Sequence, residues 1–563
     1  MIRLCGIIGI IGKNIKNELI SGLEKMRYRG YDSCGITFNK DGLCTIKTLE
    51  EPSMLTTQNT DFDTGIGHTR WATHGKVNII NAHPIASFDE KVYIVHNGII
   101  ENSKYIKNTY LKNIQFKTET DTEVLVNLIA LFMREINIID SIEKASKIAI
   151  GSYSFLIMNK NETEEIYYCS NNMPLVLTIF NNNKYIASDI LALPKSAKKY
   201  KFLFAHSVGK LSNLTSKELI DQSIGNVYDD NIGIFEHNML KEIFEIPNII
   251  NKISKNSLFE PFIILIKKAK KICFIGSGSS YNACLVGSYF IQNKEQQKMI
   301  STTIASEFSA YPDLSCDLYF LVSQSGETAD ILESLKYLKD KTTIGICNCK
   351  NSTLIRNTDY FIDMCAGPEI AVAATKSYVS TIFIFYSLSN FYSKENTISI
   401  IQSINNVLSK ADIFFKLSKK FTNTNLIFLL GRNYEYYINL ENALKIKEIT
   451  YTSTDCYFTG ELKHGPLALC SKNVKVFVLN TIEAMSIKTK MNVEEILARE
   501  AECFVISSNS LYSKEDFYCL SLNNDLCIFE IVIMFQLFSY YLSLNKGINP
   551  DFPRNLAKSV TVI

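Results

Sequence analysis

The run SQSGET, Ser323 to Thr328, sets three hydroxyl side chains and a glycine directly after an apolar stretch (318–322) that reads as a strand. A segment that reads as helix follows. Backbone N–H groups at such a helix start bind phosphate, and the Ser and Thr hydroxyls add donors. The run GSGSSYN, Gly276 to Asn282, repeats this design after the strand-like 271–275. Neither is followed by the GK[ST] of a Walker loop. One loop of this kind serves most often as a helix cap. Two in one α/β unit point to a phosphorylated small molecule at the carboxyl ends of the strands.

In ENALKIKE, Glu441, Lys445 and Glu448 stand at i, i+4 and i+7 and share one helical face. They read either as a solvated ion pair worth ~0.3–0.5 kcal/mol or as a carboxylate base beside a cation. His464 lies in GELKHGP, next to a turn ending in Pro466. A Glu and a His beside a phosphosugar-sized pocket would shuttle protons at carbon. The C-terminal DFPRNLAKSVTVI contains one lysine, Lys558. It reads as a frayed end or as a docked tail whose desolvated amine forms a Schiff base with a keto sugar.

A third group lies near the N-terminus. Cys5 is either a core cysteine or an N-terminal nucleophile whose own α-amine acts as base. RWATHG, Arg70 to Gly75, holds the only Trp, Trp71. Arg70 suits a bidentate grip on a carboxylate. Asn97 and the N–H of Gly98 suit an oxyanion hole, and Asp121, in TETDTE, suits a substrate α-ammonium.

These groups need elements to hold them, and 563 residues suffice for several domains. Hydrophobic residues make up 46% and charged ones 21%, an ordinary globular balance. The formal charge of +2 leaves no electrostatic footprint for nucleic acid or an anionic membrane. Fifteen cysteines without a CxxC pair or a signal peptide read as reduced thiols in a cytoplasmic protein. Histidines 68, 74, 83 and 96 lack zinc-ligand spacing, so no metal site is expected. The apolar 526–544 reads as a buried core helix.

Three parts follow from periodicity. Over 5–225, short strands (5–12, 92–96, 153–158, 184–188) and helices (15–29, 121–135) give an α+β layered domain, with a turn expected at HNG, 96–98. Residues 226–258 read as a polar helical linker broken at Pro247. Then 259–395 and 410–545 alternate strand and helix as two copies of one α/β doubly wound unit, ahead of a tail, 546–563, that carries Lys558.

CGIIG, YRGYDS, GHTRWATHG, HNGII, TETDTE, SQSGETAD, ALKIKEI, GELKHGPLA and PRNLAKSVTV, in that order, resemble the glutamine–fructose-6-phosphate aminotransferase (isomerizing) family over nearly the whole chain. The resemblance implies an Ntn-type glutaminase domain, a layered sandwich, followed by two SIS (sugar-isomerase) domains. It implies a glutamine-derived ammonia that passes to fructose 6-phosphate, yielding glucosamine 6-phosphate and glutamate. It needs no cofactor and suggests a homodimer. Carried over by motif, Cys5 resembles the nucleophile, Asn97 and Gly98 the oxyanion hole, and Arg70, Trp71, Thr73, His74 and Asp121 the glutamine site, with Trp71 similar to a channel gate. Ser279, Ser280, Ser323, Gln324, Ser325, Thr328 and Val372 would bind the sugar phosphate. Lys558 resembles the Schiff-base lysine, Glu448 the base between C1 and C2, and His464 the ring-opening residue, oriented by Glu441 with Lys445 nearby.

Two positions depart from the family pattern. GSGSSYN stands where a Cys-Gly-Thr-Ser run is usual, and Ser279 keeps the hydroxyl. Met1-Ile2-Arg3-Leu4 precede Cys5. A free α-amine on Cys5 requires their removal or a start at position 4, so the mature chain is expected to begin at Cys5. Retention of these residues would leave an isomerase-only or ammonia-dependent enzyme. A non-catalytic phosphosugar sensor is the reading from another class, and it has no need of Glu448, His464 and Lys558.

Overall fold

The computed structural model describes residues 5–27, 30, 32–55, 61–71, 75–171, 173, 175–194, 196–203, 206–221, 235–256, 259–350, 352–391, 393–508, 516–522, 524–554, 556 and 558. Thr73, His74 and residues 1–4 lie outside them, as do 226–234 of the expected linker. The chain divides into two compact units that meet at 229/230.

In the first unit, alternate residues of one strand feed two different cores. Ile8 and Ile10 of Gly6–Ile11 pack against Leu19 and Leu23 of helix Lys16–Lys25, while Ile7 packs against Leu156 and Met158 of a second sheet. A strand apolar on both faces must be central and covered on both sides. Gly6–Ile11 sits between Asn183–Ala187 and Thr64–Arg70 in an eight-stranded antiparallel sheet. The second sheet has five strands, with Val92–Gly98 paired to Tyr153–Asn159. Its outer face, Ile94, Phe155 and Ile157, packs under helices Asp121–Phe132 and Ile138–Ile148. The layers are therefore helix, sheet, sheet, helix. The turn expected at HNG is absent, because Asn97 and Gly98 continue the ladder opposite Ser154 and Tyr153. The two helices are also shorter than expected, ending at Lys25 and Phe132.

The second unit contains two five-stranded parallel sheets. Their orders are Met299–Ile304, Lys271–Gly276, Leu318–Ser323, Thr342–Cys347, Tyr360–Asp363 and Ser453–Phe458, Leu426–Gly431, Lys475–Asn480, Glu502–Ser507, Asp516–Cys519. In chain order both read 2-1-3-4-5, the doubly wound arrangement whose switch point lies between strands 1 and 3. Helix Cys527–Asn545 is long and apolar enough to cross a membrane, and 89% of its apolar window is buried inside this unit.

The segment read as a broken linker contributes an unbroken helix, Asn238–Asn256, with Pro247 inside it. Pro forfeits one i→i−4 bond and costs ~3 kcal/mol in a helix interior. Against that, Met239, Ile243, Ile246, Ile249, Ile250 and Ile253 are buried in the core of the unit. At ~1.5–3 kcal/mol per buried side chain, the apolar stripe outweighs the proline. The sequence clue was there in the 4-3-4-3 spacing of Met239, Ile243, Ile246, Ile250 and Ile253, which overrides the breaker.

Candidate functional site

Both hydroxyl-rich loops leave strands that flank the switch point of the first α/β copy. Ser323 ends its strand, and its Oγ accepts the Gly326 N–H (3.0 Å) and pairs with Thr328 Oγ1 (2.8 Å). Ser325 Oγ accepts the Glu327 N–H at 3.2 Å. Gly326 has φ +67°, and a Cβ there would fall 2.1 Å from Ser352 Oγ, so the turn admits only glycine. Gln324 is half-buried, and its carbonyl accepts the Asn348 N–H at 3.1 Å. In the other loop, Ser279 and Ser280 open helix Ser279–Lys294, both half-buried.

Ser279 joins this loop to the charged helical face 162 residues away. Its Oγ donates to Glu441 Oε1 (2.9 Å) and accepts from Lys445 Nζ (3.2 Å). Asn282 Nδ2 donates to the other Glu441 oxygen at 2.9 Å. Lys445 lies 3.3 Å from Glu441 and 2.6 Å from Glu448. Glu441 and Lys445 are 1% and 2% exposed, so the solvated-pair alternative does not apply. Burial alone would strip the Lys445 proton, but the two carboxylates reverse this and raise its pKa. Burial raises the Glu448 pKa above the usual carboxylate range, with Lys445 offsetting part of the shift. Removing one member of a buried ion cluster leaves the others uncompensated. Lys445→Ala is therefore expected to lower stability by ~3–5 kcal/mol, read as a drop in the urea midpoint. A drop within ~0.5 kcal/mol would mean the triad is solvated.

Lys558 Nζ pairs with Glu369 Oε2; the carboxylate is fully buried and the lysine side chain is 9% exposed. Burial pushes the Glu369 carboxyl up, but the Lys558 ammonium and donors from Ser377 outweigh it and hold the pKa at about 2. Val372, three residues on, is buried and donates its N–H to the Asp551 carbonyl at 3.2 Å. His464 is not brought to this cluster. It is exposed at the end of the 3-10 turn Thr459–His464, and Glu441, the residue expected to orient it, spends its oxygens on Ser279, Asn282 and Lys445.

In the first unit, Cys5 precedes the central strand and is buried. Its Sγ accepts the Trp71 N–H at 3.2 Å and lies 3.5 Å from the Trp71 carbonyl. Arg70 ends the neighbouring strand, where Gly6 pairs with Thr69. Burial lowers the Arg70 pKa, while Cys5, Asp32, Asp121 and Glu119 act in the opposite direction. Asp121 is placed by TETDTE itself. Thr120 caps the helix by accepting the Glu123 N–H, and Glu123 reaches back to the N–H groups of Lys117 and Thr118. One Asp121 oxygen accepts the Ile100 N–H at 2.8 Å. Asn97 is wholly buried, and neither amide atom has a hydrogen-bond partner among the described residues. Gly98 has φ +111°, and a Cβ there would meet the Ser152 carbonyl at 2.2 Å. The site thus collects a thiol, a guanidinium, a carboxylate and an unspent carboxamide.

Residues 68–195 match the glutamine amidotransferase domain family, and 265–390 and 420–546 match the SIS domain family. The chain is 35% identical to the glutamine–fructose-6-phosphate aminotransferase [isomerizing] of Staphylococcus aureus, an alignment that spans 99% of this chain and 100% of that protein. The enzyme of that name from Oceanobacillus iheyensis gives the same identity and coverage. The chain belongs to this aminotransferase family. The C-terminal domain of glucosamine-fructose-6-phosphate aminotransferase from Francisella tularensis superposes with a TM-score of 0.52 and 31% identity, covering 57% of this chain and 99% of that one. Tagatose-6-phosphate ketose/aldose isomerase from Escherichia coli, at a TM-score of 0.50 and 16% identity, shares the fold.

Within this aminotransferase frame, motif reading missed three groups. Asn282 and Glu369 hold Glu441 and Lys558 in place. His96 Nδ1 pairs with Thr122 Oγ1 (2.9 Å), and His68 Nε2 contacts the His96 carbonyl (3.1 Å), tying the Asn97 strand to the Asp121 helix. His68 is fully buried, which holds its pKa well below the usual range and keeps it neutral. Asn282 is the last residue of GSGSSYN. Glu369, in AGPEIAV, carried no spacing signal at all.

Proposed function

We propose that the chain converts fructose 6-phosphate and glutamine to glucosamine 6-phosphate and glutamate. In the first unit, Arg70 and Asp121 hold the amino-acid end of glutamine, with Trp71 beside them. Thr73 and His74 belong to the same proposed pocket. Cys5 Sγ attacks the side-chain amide, its proton passing to the free Cys5 α-amine and from there to the leaving nitrogen, with Asn97 and the Gly98 N–H receiving the charge that builds on oxygen. Ammonia leaves, and water releases glutamate from the thioester. In the second unit the loop hydroxyls of Ser279, Ser280, Ser323, Ser325 and Thr328, with Gln324 and Val372, hold the sugar phosphate. Lys558 adds to the C2 carbonyl and expels water, giving an iminium that Glu369 continues to balance. Ammonia displaces Lys558, and Glu448 carries the proton between C1 and C2. His464 is exposed, on a turn beside the exposed Phe458 and Leu469. This favours a homodimer in which His464 opens the sugar ring in a second copy. Among the described residues no two cysteines form a disulfide, which suits a reducing cytoplasm.

The observation that carries this reading is Ser279, which links the phosphate-type loop to the Glu441–Lys445–Glu448 face. A phosphosugar bound by the loop thereby lies against a proton-transfer group, an arrangement a sensor does not need. The test is turnover with glutamine labelled with ¹⁵N at the amide. Labelled glucosamine 6-phosphate is expected; unlabelled hexose 6-phosphate alone would leave only the isomerase-only reading.

A further inference from the structure

We propose that Glu242 is a positioning residue for the chemistry at Lys558, clamping the strap that carries Glu369 and Val372 to the helix Asn238–Asn256. The inference rests on the reading of Lys558 as the imine-forming lysine.

Glu242 is 2% exposed and lies on the buried side of that helix. Its Oε1 accepts the N–H groups of Ile370 and Ala371, the latter at 3.1 Å. These follow Glu369 directly. Glu369 in turn receives Lys558 and the N–H groups of Thr375 and Ser377. The same helix is tied to the tail at its start, where the Asp551 carboxylate accepts the N–H groups of Asn238 and Met239, each at 2.8 Å. Asp551 also accepts the Val372 N–H through its carbonyl. Helix, strap and tail thus form one closed set of hydrogen bonds around Lys558, and Glu242 makes the helix-to-strap closure.

The charges around Glu242 are already matched without it. Lys558 pairs with Glu369, and Lys376 pairs with Glu245, one turn along the helix, at 2.5 Å. Lys241 also lies 3.9 Å from Glu245. The second Glu242 oxygen is buried with no hydrogen-bond partner among the described residues. Burial, then the neighbouring Glu369, raises the Glu242 pKa to about 8, with Lys558 and Lys376 acting against the shift. At neutral pH Glu242 is therefore an uncharged acid, and Glu369 alone balances Lys558. Above about pH 8 it ionises. A second negative charge then faces Lys558, which must shed its proton before it attacks the sugar carbonyl, and the ammonium is held more tightly. The sign for stability is the same. A carboxyl raised in the folded state stabilises below its unfolded value, and that contribution is lost as pH rises through about 8.

The experiment uses the full chain and traps the fructose 6-phosphate imine on Lys558 with borohydride from about pH 6 to pH 10, alongside kcat and KM for the sugar. Wild type is expected to trap sugar at Lys558 and to lose turnover through an alkaline limb near 8. Glu242→Gln keeps the acceptor oxygen but cannot ionise. It is expected to lower turnover by less than about threefold near neutral pH and to abolish that limb. Glu242→Ala strands two buried N–H groups and is expected to cut trapping by about tenfold or more, with the sugar KM little changed. A Gln variant that retains the wild-type alkaline limb would overturn the proposal. Wild type that traps no sugar at Lys558 would instead overturn the reading of Lys558 on which it rests.

Discussion

Lys558→Arg is expected to end sugar amination from glutamine and from ammonium salts alike, whereas Cys5→Ala ends only the glutamine-dependent reaction. The two substitutions fall in different units, so each removes one half-reaction. Removing a covalent nucleophile costs at least about 10³-fold, and that loss is expected for Cys5→Ala with glutamine. Its structural cost is small, because the contacts of the thiol to Trp71 are worth ~1 kcal/mol. Alanine is the wrong probe at Lys558. It would leave the Glu369 carboxylate, 0% exposed, without its cation, and ~3–5 kcal/mol of stability would go with it. Arginine keeps the charge, has no amine able to form an imine, and stays protonated. Rates with each nitrogen source decide the matter. Unchanged glutamine-dependent turnover in Cys5→Ala would sink the glutaminase reading, and residual amination by Lys558→Arg would sink the Schiff-base reading.

Much of the architecture was legible because two periodicities switch along the chain. GIIGII and LYFLV are apolar on both faces, and such strands have to lie inside layers, as both do. Strand–helix alternation with right-handed connections gives a doubly wound parallel sheet, while the particular order 2-1-3-4-5 has no local signal. Side-chain placement was legible only where a motif carried its own geometry. TETDTE encodes the cap that fixes Asp121, and SQSGET encodes the turn that needs Gly326. The links between motifs were hidden, since no local spacing announces that Ser279 meets Lys445 or that Glu369 meets Lys558. Pro247 misled because a breaker is a local cost and the buried isoleucine stripe is a tertiary gain. HNG misled for a related reason. Asn and Gly favour turns in isolation, yet here they finish a strand, where the positive φ of Gly98 turns the backbone beside the wholly buried Asn97.

Glu448→Gln is expected to lower synthesis by ~10²–10⁴-fold, the usual contribution of a general acid–base group. Glutamine keeps the size of the side chain and an acceptor oxygen for Lys445, 2.6 Å away, but it cannot take a proton from sugar carbon. The loss belongs in kcat, because in the proposed reading the sugar phosphate is held by the hydroxyls of the Ser279 and Ser323 loops and not by Glu448. KM for fructose 6-phosphate should change little. The pH profile adds a second readout. Burial raises the Glu448 pKa, so its basic form is lost on the acid side at a pH above the usual carboxylate value of ~4.3. Turnover by the wild type should therefore fall as pH drops through that raised value, and the glutamine variant should lose this acid limb. The triad also allows the opposite outcome to be recognised. If Glu448 only neutralises Lys445, its substitution would loosen the helical face against Ser279 and weaken sugar binding. A raised KM with turnover per bound sugar preserved would then reassign Glu448 to the ion cluster and leave the C1–C2 proton transfer to another group.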